Sequence, residues 1–208
     1  MHHPLRHSIY LCINSWLLRI IPILLSFVQI DRNAVQHIWK THVIPYVIDD
    51  EISKHSTKMI SDPTCLTFQQ RKTERDYLFF QNSRECASYV GCIGGKQPVY
   101  TGSLCCVGNI VHEILHALGF FHEHTRLDRD KYIEVLTENI RKVWIWFSSH
   151  GNFVKQSGDT GNAPYDQVFS SNGKPTIISH HPTLEMGQRR RLTTTDSQRI
   201  RLLYNCGM

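Results

Sequence analysis

The stretch VHEILHALGFFHEH, from Val111 to His124, carries four histidines and two glutamates around a single glycine. His112 and His116 are four residues apart, so on a helix they lie on one face, one turn apart. The residues around them are apolar and mostly favour helix, which predicts a buried helix carrying two imidazoles inward. Glu113 lies beside the first histidine, where its carboxylate can reach a water held by both rings.

A third ligand requires the chain to reverse direction. His122 follows His116 by six residues, about 9 Å along a helix axis, whereas zinc holds nitrogen ligands at about 2.0–2.1 Å. Gly119 lies between them and can adopt the left-handed conformation that ends helices. The spacing H-E-x-x-H-x-x-G-x-x-H therefore predicts a zinc site with His112, His116 and His122 as ligands. His124 is expected to be a surface histidine and not a ligand.

Such a site implies hydrolysis by an activated water. Three neutral imidazoles leave one zinc position open, and zinc lowers the pKa of a bound water towards 7 and polarises a carbonyl. Glu113 is expected to act as the general base and then to deliver the proton to the leaving amine. The predicted cofactor is one Zn²⁺ per chain, and no serine or cysteine nucleophile is needed.

Length and composition indicate one globular domain. The chain has 208 residues, of which 41% are hydrophobic and 20% charged, so it can bury a sizeable core. The formal net charge of +5 is mild, and no nucleic-acid motif accompanies it, so we expect no nucleic-acid partner. The densest basic run, Gln188–Leu192, favours a solvated loop over a patch for acidic partners.

The cysteine count points to an oxidising compartment. One of the seven cysteines, Cys12, lies in the N-terminal segment, and none of the others has the C-x-x-C spacing of a zinc ribbon. An even set of six in a secreted protein predicts three disulfides, for which sequence alone leaves fifteen connectivities. The alternative is a set of reduced core thiols in a cytosolic protein. The six are Cys65, Cys86, Cys92, Cys105, Cys106 and Cys206.

The N-terminal segment begins with basic residues and continues with an apolar stretch, Ile9–Ile30, that Arg19 and Pro22 interrupt. Ile20–Val28 is long enough for the apolar region of a secretory signal, which predicts a secreted, extracellular protein without stable membrane association. One alternative is a membrane signal anchor, in which Arg19 at bilayer depth would cost about 2.5–3.5 kcal/mol. Another is a mis-assembled or alternative first exon.

The spacing of the histidines matches the metzincins, and HEILHALGFFHEH followed by TRLDRDKYI resembles the astacin family of secreted zinc endopeptidases. Within this family the sequence resembles the vertebrate egg-hatching and oocyte-type members. The resemblance covers nearly all of residues 33–208. Further segments are similar to the family in the same order: RNAVQHIWKTHVIPYVID (Arg32–Asp49), CASYVG (Cys86–Gly91), NAPYD (Asn162–Asp166), GKPTI (Gly173–Ile177) and MGQRRRLTTTDSQRIRLLYNC (Met186–Cys206).

The resemblance implies an α+β fold with two lobes and zinc in the cleft between them. It implies a zinc metalloendopeptidase that hydrolyses peptide bonds of protein or peptide substrates. Residues 33–208 would form the protease domain, and residues 1–32 a signal-like or atypical N-terminal segment. An intracellular helix-rich protein with an accidental motif is disfavoured by the cysteine pattern and by the extent of the resemblance.

The resemblance also implies which groups pair. It joins Cys65 to Cys206, a link that would tie the last helix to the N-terminal half of the domain. For the other four cysteines it leaves two alternatives, in which Cys86 pairs with Cys105 or with Cys106 and Cys92 takes the one that remains.

A second pairing implied by the resemblance concerns the N-terminus of the domain. Cleavage after Arg32 would free an amine on Asn33, and the resemblance pairs that amine with the carboxylate of Glu123. Trimming at Asn33 would then matter for the active shape of the site.

One family segment is missing from this sequence. After the PYD segment the family continues with a turn of the type S-x-M-H-Y, whose methionine lies under the zinc and whose tyrosine contacts the metal. Here NAPYD runs directly into QVFSSNGKPTI, with no methionine between positions 59 and 186 and no tyrosine between positions 165 and 204. The alternative function is therefore a catalytically impaired astacin-like zinc-binding protein.

Local patterns predict seven regular elements and one long loop. The strands are Val43–Ile48, Leu66–Gln70, Tyr77–Gln81 and Val99–Leu104, the last of them an edge strand that in the family aligns with extended substrate. The helices are Glu51–Ser61, Ile110–Leu118 and Thr194–Tyr204, the last capped by Thr193 or Thr194. Asn152–Pro164 is predicted to be loop.

Overall fold

The computed structural model describes residues 35, 37–48, 51–140, 153–156, 176–180 and 191–207. The predictions for residues 1–32, for Asn33 and for the missing family turn lie outside these residues. So do most of the predicted loop and all but the end of the basic run at Gln188–Leu192.

A five-stranded sheet forms the N-terminal half, in the order β2-β1-β3-β5-β4. The strands β1, β2, β3 and β5 run parallel, and β4 pairs antiparallel with β5. In β3 and β5 buried and partly exposed side chains alternate, as expected for strands with one face on the core. The strands are Val43–Val47 (β1), Thr67–Gln70 (β2), Tyr77–Asn82 (β3), Ala87–Ser88 (β4) and Lys96–Thr101 (β5).

Two helices pack against each other next to this sheet. Helix α1 spans Glu51–Ser61 and follows β1, and helix α2 spans Val107–Ala117 and follows β5. Most of the circumference of α2 is buried, which explains why its sequence is apolar on nearly every side. The fully buried aliphatic side chains at the centre of the core are Ile44, Ile60, Leu66, Leu78, Val99, Ile114, Leu118 and Ile200.

The C-terminal part closes the domain with helix α3, Thr194–Leu203. Thr193 caps it, because its hydroxyl accepts a hydrogen bond from the amide of Asp196 while the Asp196 carboxylate accepts one from the amide of Thr193. A disulfide between Cys65 and Cys206 joins the end of α3 to the turn after α1. The predicted helix, its cap and this disulfide are therefore confirmed.

A small antiparallel pair of strands follows α2 and precedes α3 in the chain. Its strands are Ile133–Val135 (β6) and Ile177–Ser179 (β7). Short 3₁₀ turns at Glu123–Thr125, Arg129–Lys131 and Thr137–Asn139 lie on either side of β6 in the chain. None of these elements is predicted by local sequence patterns, because each is only three residues long. Within the residues described, no helix has the length and apolar character needed to cross a membrane.

One predicted strand is wrong in its bounds and in its place. The segment predicted as an edge strand over Val99–Leu104 is β5, which begins at Lys96, ends at Thr101 and lies between β3 and β4. The edge on this side is β4, which pairs with only two residues of β5. A two-residue strand leaves almost no pattern in a sequence, so sequence patterns predict its neighbour as the edge strand.

The prediction of three disulfides is also wrong for the third pair. Cys86 bonds to Cys105, one of the two alternatives, whereas Cys92 and Cys106 are free thiols. Cys105 faces the core, and its chain neighbour Cys106 is exposed, with its Sγ 2.6 Å from the side-chain oxygen of Asn109. Because these adjacent side chains point to different surroundings, only Cys105 meets Cys86.

Candidate metal centre

The turn after α2 is built around Gly119. The amide of Gly119 donates to the carbonyl of His116 at 2.8 Å, and the amide of Phe120 donates to the carbonyl of Leu115 at 3.1 Å. This pair of bonds is the Schellman arrangement that ends helices, and it requires a positive φ, here +114° at Gly119. The predicted chain reversal at this glycine is therefore confirmed.

Groups from distant parts of the chain hold the last turn of α2. The indole N–H of Trp39 donates to the carbonyl of Ala117 at 3.0 Å, and the hydroxyl of Tyr204 donates to the carbonyl of Leu118 at 2.8 Å. The amide of Gly91 donates to the carbonyl of His116 at 2.8 Å. These donors satisfy carbonyls that a helix end otherwise leaves without an intrahelical partner, and they fix the end from which the chain turns back.

The reversal brings three imidazoles together. The Nε2 atom of His112 lies 3.0 Å from that of His116 and 3.0 Å from that of His122, and the last two Nε2 atoms are 3.1 Å apart. The three residues form the one group of metal-ligating side chains found in the described part of the chain. The structure thus brings together the three histidines that the sequence predicts as ligands.

A hydrogen bond fixes which nitrogen of His116 faces the group. Its Nδ1 lies 2.7 Å from the carbonyl oxygen of Phe120, and because a carbonyl only accepts, Nδ1 carries the proton. In the neutral ring Nε2 then presents a lone pair to the centre. The backbone that follows the glycine turn therefore sets the tautomer of a ligand histidine, as outer partners of metal-bound histidines commonly do.

Burial favours the neutral form of the His116 and His122 imidazoles. It lowers the pKa of His116 from its ordinary 6.5 to about 4, against a smaller opposing effect of the hydrogen bond to Phe120. Burial also holds the pKa of His122 well below its ordinary value, helped by the nearby rings of His116, His112 and His124. Neutral imidazole is the form that binds a metal, so these two rings can serve as ligands at neutral pH.

The nitrogen triangle fits zinc. Three nitrogens held about 2.0–2.1 Å from a tetrahedral ion lie about 3.3 Å apart, a few tenths of an ångström more than the separations found here. A single ion can accept the lone pair of each of the three nitrogens. Hydrogen bonds alone cannot connect the three nitrogens in a closed ring, because the Nε2 of His116 carries no proton to donate. His112 is partly buried, whereas His116 and His122 are buried. Among the residues that the structure describes, the donor type, number and spacing are those of a three-histidine zinc site.

Glu113, the predicted general base, is fully buried on α2 beside His112. A carboxylate is rarely buried to this extent without a specific role or partner. The sequence predicts its place next to the histidines, and the structure puts it on the same turn of the helix.

His124 is not a surface residue, which corrects the sequence-based expectation. Only 3% of it is exposed, and its ring stacks on that of His122 with centroids 5.1 Å apart and planes 20° from parallel. On its other side it contacts the ring of Phe153. The geometric group of possible metal ligands consists of His112, His116 and His122. The contacts of His124 show that it supports the third ligand ring from outside the site.

A charged cluster that sequence reasoning missed begins at Glu123, the residue after His122. The carboxylate of Glu123 accepts hydrogen bonds from Arg126 and Arg199, and Arg126 also donates two hydrogen bonds to Asp128. Burial lowers the pKa of Arg126, but its bonds to Asp128 and Glu123 outweigh this, so its pKa is raised overall. The run of charges in TRLDRD, immediately after a buried histidine site, was the available signal. Asn33, the predicted partner of Glu123, lies outside the described residues.

Known proteins share this sequence and fold. The sequence pattern of the peptidase family Astacin matches residues 31–205. The zinc metalloproteinase nas-13 of Caenorhabditis elegans is 36% identical over 196 residues, which are 85% of this chain and 44% of that protein. The low choriolytic enzyme of Oryzias latipes is 35% identical over 182 residues, 78% of this chain and 65% of that protein. The chain thus spans less than two thirds of these curated relatives.

A solved structure agrees with these matches. High choriolytic enzyme 1, a hatching-enzyme zinc protease of Oryzias latipes, superposes with a TM-score of 0.70 at 34% identity. The superposition covers 79% of this chain and 90% of the other. It confirms the α+β metzincin fold around the three histidines. By its sequence pattern, its fold and its zinc-binding triad, this chain belongs to the astacin family.

Proposed function

We propose that the chain is a zinc-dependent metalloendopeptidase that hydrolyses peptide bonds of protein substrates. The observation that carries the proposal is the meeting of three Nε2 atoms, from His112, His116 and His122, within 3.0–3.1 Å of one another. We propose these residues as the zinc ligands. Three protein ligands would leave the fourth zinc position to a water, whereas a purely structural zinc site closes that position with a fourth protein ligand.

The chain's own residues then divide the work. A bound zinc ion would supply a Lewis acid and a water of lowered pKa. Glu113 serves as the general base, which takes a proton from the water and delivers it to the leaving amine. Its burial beside His112 supports this role, because a carboxyl group shielded from bulk water does not lose that proton to the solvent. His116 holds its proton on Nδ1 through Phe120 and so keeps Nε2 available as a ligand throughout.

The substrates we propose are proteins or peptides of the extracellular space. A relative named low choriolytic enzyme and a solved hatching enzyme support substrates of the kind that hatching enzymes cleave. Two closed disulfides support secretion, since such bonds persist in oxidising compartments. Residues 1–32 as a secretory signal and residues 33–208 as the protease domain complete this proposal.

The sequence favours one second candidate, a zinc-binding relative with impaired catalysis. Its basis is the missing S-x-M-H-Y turn, because the tyrosine of that turn would donate a hydrogen bond in the transition state. Losing such a donor typically costs about 10²–10³ in rate. Zinc binding would be retained in this case, so the two candidates differ in turnover and not in metal content.

A peptide-hydrolysis assay separates the two candidates. The oxidised, zinc-loaded chain is compared with Glu113→Gln, which keeps the size of the side chain but removes the base. If the chain is a peptidase, the wild type cleaves an unfolded protein substrate and Glu113→Gln loses at least about 10² in rate, as expected for loss of a general base. Equal background rates at equal zinc content would contradict the peptidase and favour the impaired relative.

A further inference from the structure

An ion pair connects the metal site to the C-terminal helix. Glu123 follows the third histidine directly, and Arg199 lies on α3, 76 residues later in the chain. The two Nη atoms of Arg199 donate to the two carboxylate oxygens of Glu123, each at 2.6 Å. Arg126 adds a third bond to the same carboxylate at 2.8 Å. A bidentate pair of this kind fixes the orientation of both planar groups as well as their distance.

The pair is shielded from water. Only 12% of the Glu123 side chain and 13% of the Arg199 side chain are exposed, and Arg126 is 3% exposed. Exposed ion pairs contribute little, but a shielded bidentate pair is screened less and loses more when one partner is removed. The contact therefore holds two segments together and is not an incidental surface bridge.

The segment from His122 to Arg126 is internally rigid. The amide and the hydroxyl of Thr125 both donate to the carbonyl of His122, at 3.0 and 2.6 Å. The amide of Arg126 donates to the carbonyl of Glu123. A displacement of Glu123 is therefore passed to the backbone of His122 and to its ring.

Helix α3 is a fixed support for this segment. Its first turn is closed by the capping box at Thr193, and Ile200, next to Arg199, is fully buried in the core. The Cys65–Cys206 disulfide holds its far end. Arg199 is thus presented from an element that is anchored at both ends and in the middle.

We propose that Arg199 is a positioning residue, which clamps Glu123 to α3 and thereby fixes the ring of the third zinc ligand, His122. The inference rests on the proposed role of His122 as a ligand and goes beyond it in assigning a task to the C-terminal helix. A ligand ring displaced from its place binds the ion less well, and outer support of this kind commonly contributes 10–100-fold to metal affinity.

The test measures the dissociation constant for zinc by competition with a chelator, on the full oxidised chain, without any activity assay. Arg199→Met removes the charge and keeps the length, and we expect it to weaken zinc binding about 10–100-fold. Arg199→Lys keeps the charge but loses the two-pronged geometry, so its loss is smaller than that of Arg199→Met. The matched control is Arg201→Met on the same helix, an exposed residue bonded to the carbonyl of Pro63, expected to change affinity less than about two-fold.

A second measurement separates positioning from general stabilisation. If Arg199 positions His122, Arg199→Met lowers the melting temperature of the zinc-loaded protein more than that of the zinc-free protein, because linkage adds the lost metal affinity. Equal lowering of both, with zinc affinity unchanged in the folded variant, would overturn the proposal.

If Arg199→Met does not fold, the double variant Glu123→Gln with Arg199→Met removes both charges together, which buried pairs tolerate better than loss of one partner. Weakened zinc binding in the double variant supports the clamp, and wild-type affinity overturns it. A wild type that binds no zinc would instead contradict the proposed function, so the two failures are distinguishable.

Discussion

The imidazole Nδ1 of His116 donates to the carbonyl oxygen of Phe120 at 2.7 Å, across the turn that Gly119 makes. The end of helix α2 and the orientation of the His116 ring therefore depend on the same turn. The same glycine that reverses the chain for His122 also places the carbonyl that sets the tautomer of His116. A change of backbone conformation at Gly119 should disturb two of the three ligands together.

Replacing Gly119 by alanine tests this dependence. Alanine disfavours a φ of +114°, and its Cβ would lie 3.0 Å from Cγ2 of Ile38. We expect Gly119→Ala to lower the free energy of unfolding by about 1–3 kcal/mol and to weaken zinc binding. The control is Gly95→Ala, which has a φ of +66° but no atom within 4 Å of the added Cβ. An equal loss in both variants, measured by chemical denaturation, would show that close packing at Gly119 contributes nothing.

The free thiols give a second prediction. In a Cys12→Ser chain under denaturing conditions, a thiol reagent should find two thiols, those of Cys92 and Cys106. In the native protein the exposed Cys106 should react first, and Cys92 more slowly, because burial raises the pKa of its thiol and shields it. Finding no thiol in the denatured chain would contradict the structure and support the third disulfide that the sequence predicts.

The two disulfides should differ in their contribution to stability. Cys65–Cys206 closes a separation of 141 residues and Cys86–Cys105 one of 19. On the chain-entropy account these loops stabilise by about 5 and about 3 kcal/mol. We therefore expect Cys65→Ser with Cys206→Ser to lower the free energy of unfolding more than Cys86→Ser with Cys105→Ser. The reverse order in denaturant titrations would contradict this account of how α3 is held.

Asp128 gives a prediction about pH. The hydrogen bonds from Arg126 hold the pKa of Asp128 below its ordinary 3.8, so the folded state binds this proton less readily than the unfolded state. The resulting stability is complete above pH 3.8 and is lost as pH falls through that value towards the lower folded-state pKa. Asp128→Asn should therefore lower the free energy of unfolding by about 1–2 kcal/mol at pH 7, a range that allows for the partial exposure of the side chain. The loss should become progressively smaller below about pH 4.

The control for Asp128 is another acidic residue of the same segment. Asp130 pairs with Lys155 and Arg129, but 66% of its side chain is exposed. Asp130→Asn should change the free energy of unfolding by less than about 0.5 kcal/mol across the same pH range. If Asp128→Asn lowers the free energy of unfolding by the same amount from pH 7 to pH 3, the charge of Asp128 is not what stabilises its contact with Arg126.

The metal ligands could be predicted because their geometry is local. Spacing within eleven residues, a glycine and an apolar helix pattern were enough to identify His112, His116 and His122. The Arg199–Glu123 pair could not be predicted in this way, since its members are 76 residues apart and the resemblance implies a different partner, Asn33, for Glu123. The burial of His124 could not be predicted for the same reason, because the ring of Phe153 that contacts it comes from a distant segment.

The same distinction between local and long-range signals applies to the elements of the fold. Helix Glu51–Ser61 and the Thr193 cap follow from short-range signals, and the structure has them as predicted. The place of β5 in the sheet depends on β4, which is two residues long and leaves no alternating pattern to read. Long-range pairing among cysteines likewise depended on which of two neighbours, Cys105 or Cys106, faces the core.

Zinc content of the purified chain tests the central claim most directly. The oxidised protein is loaded with zinc, freed of excess metal and analysed for zinc per chain, beside a His116→Gln variant that removes the most deeply buried ligand. The account predicts close to one zinc per wild-type chain, and most of it lost in the variant. A folded wild type with both disulfides closed and no stoichiometric zinc would contradict it.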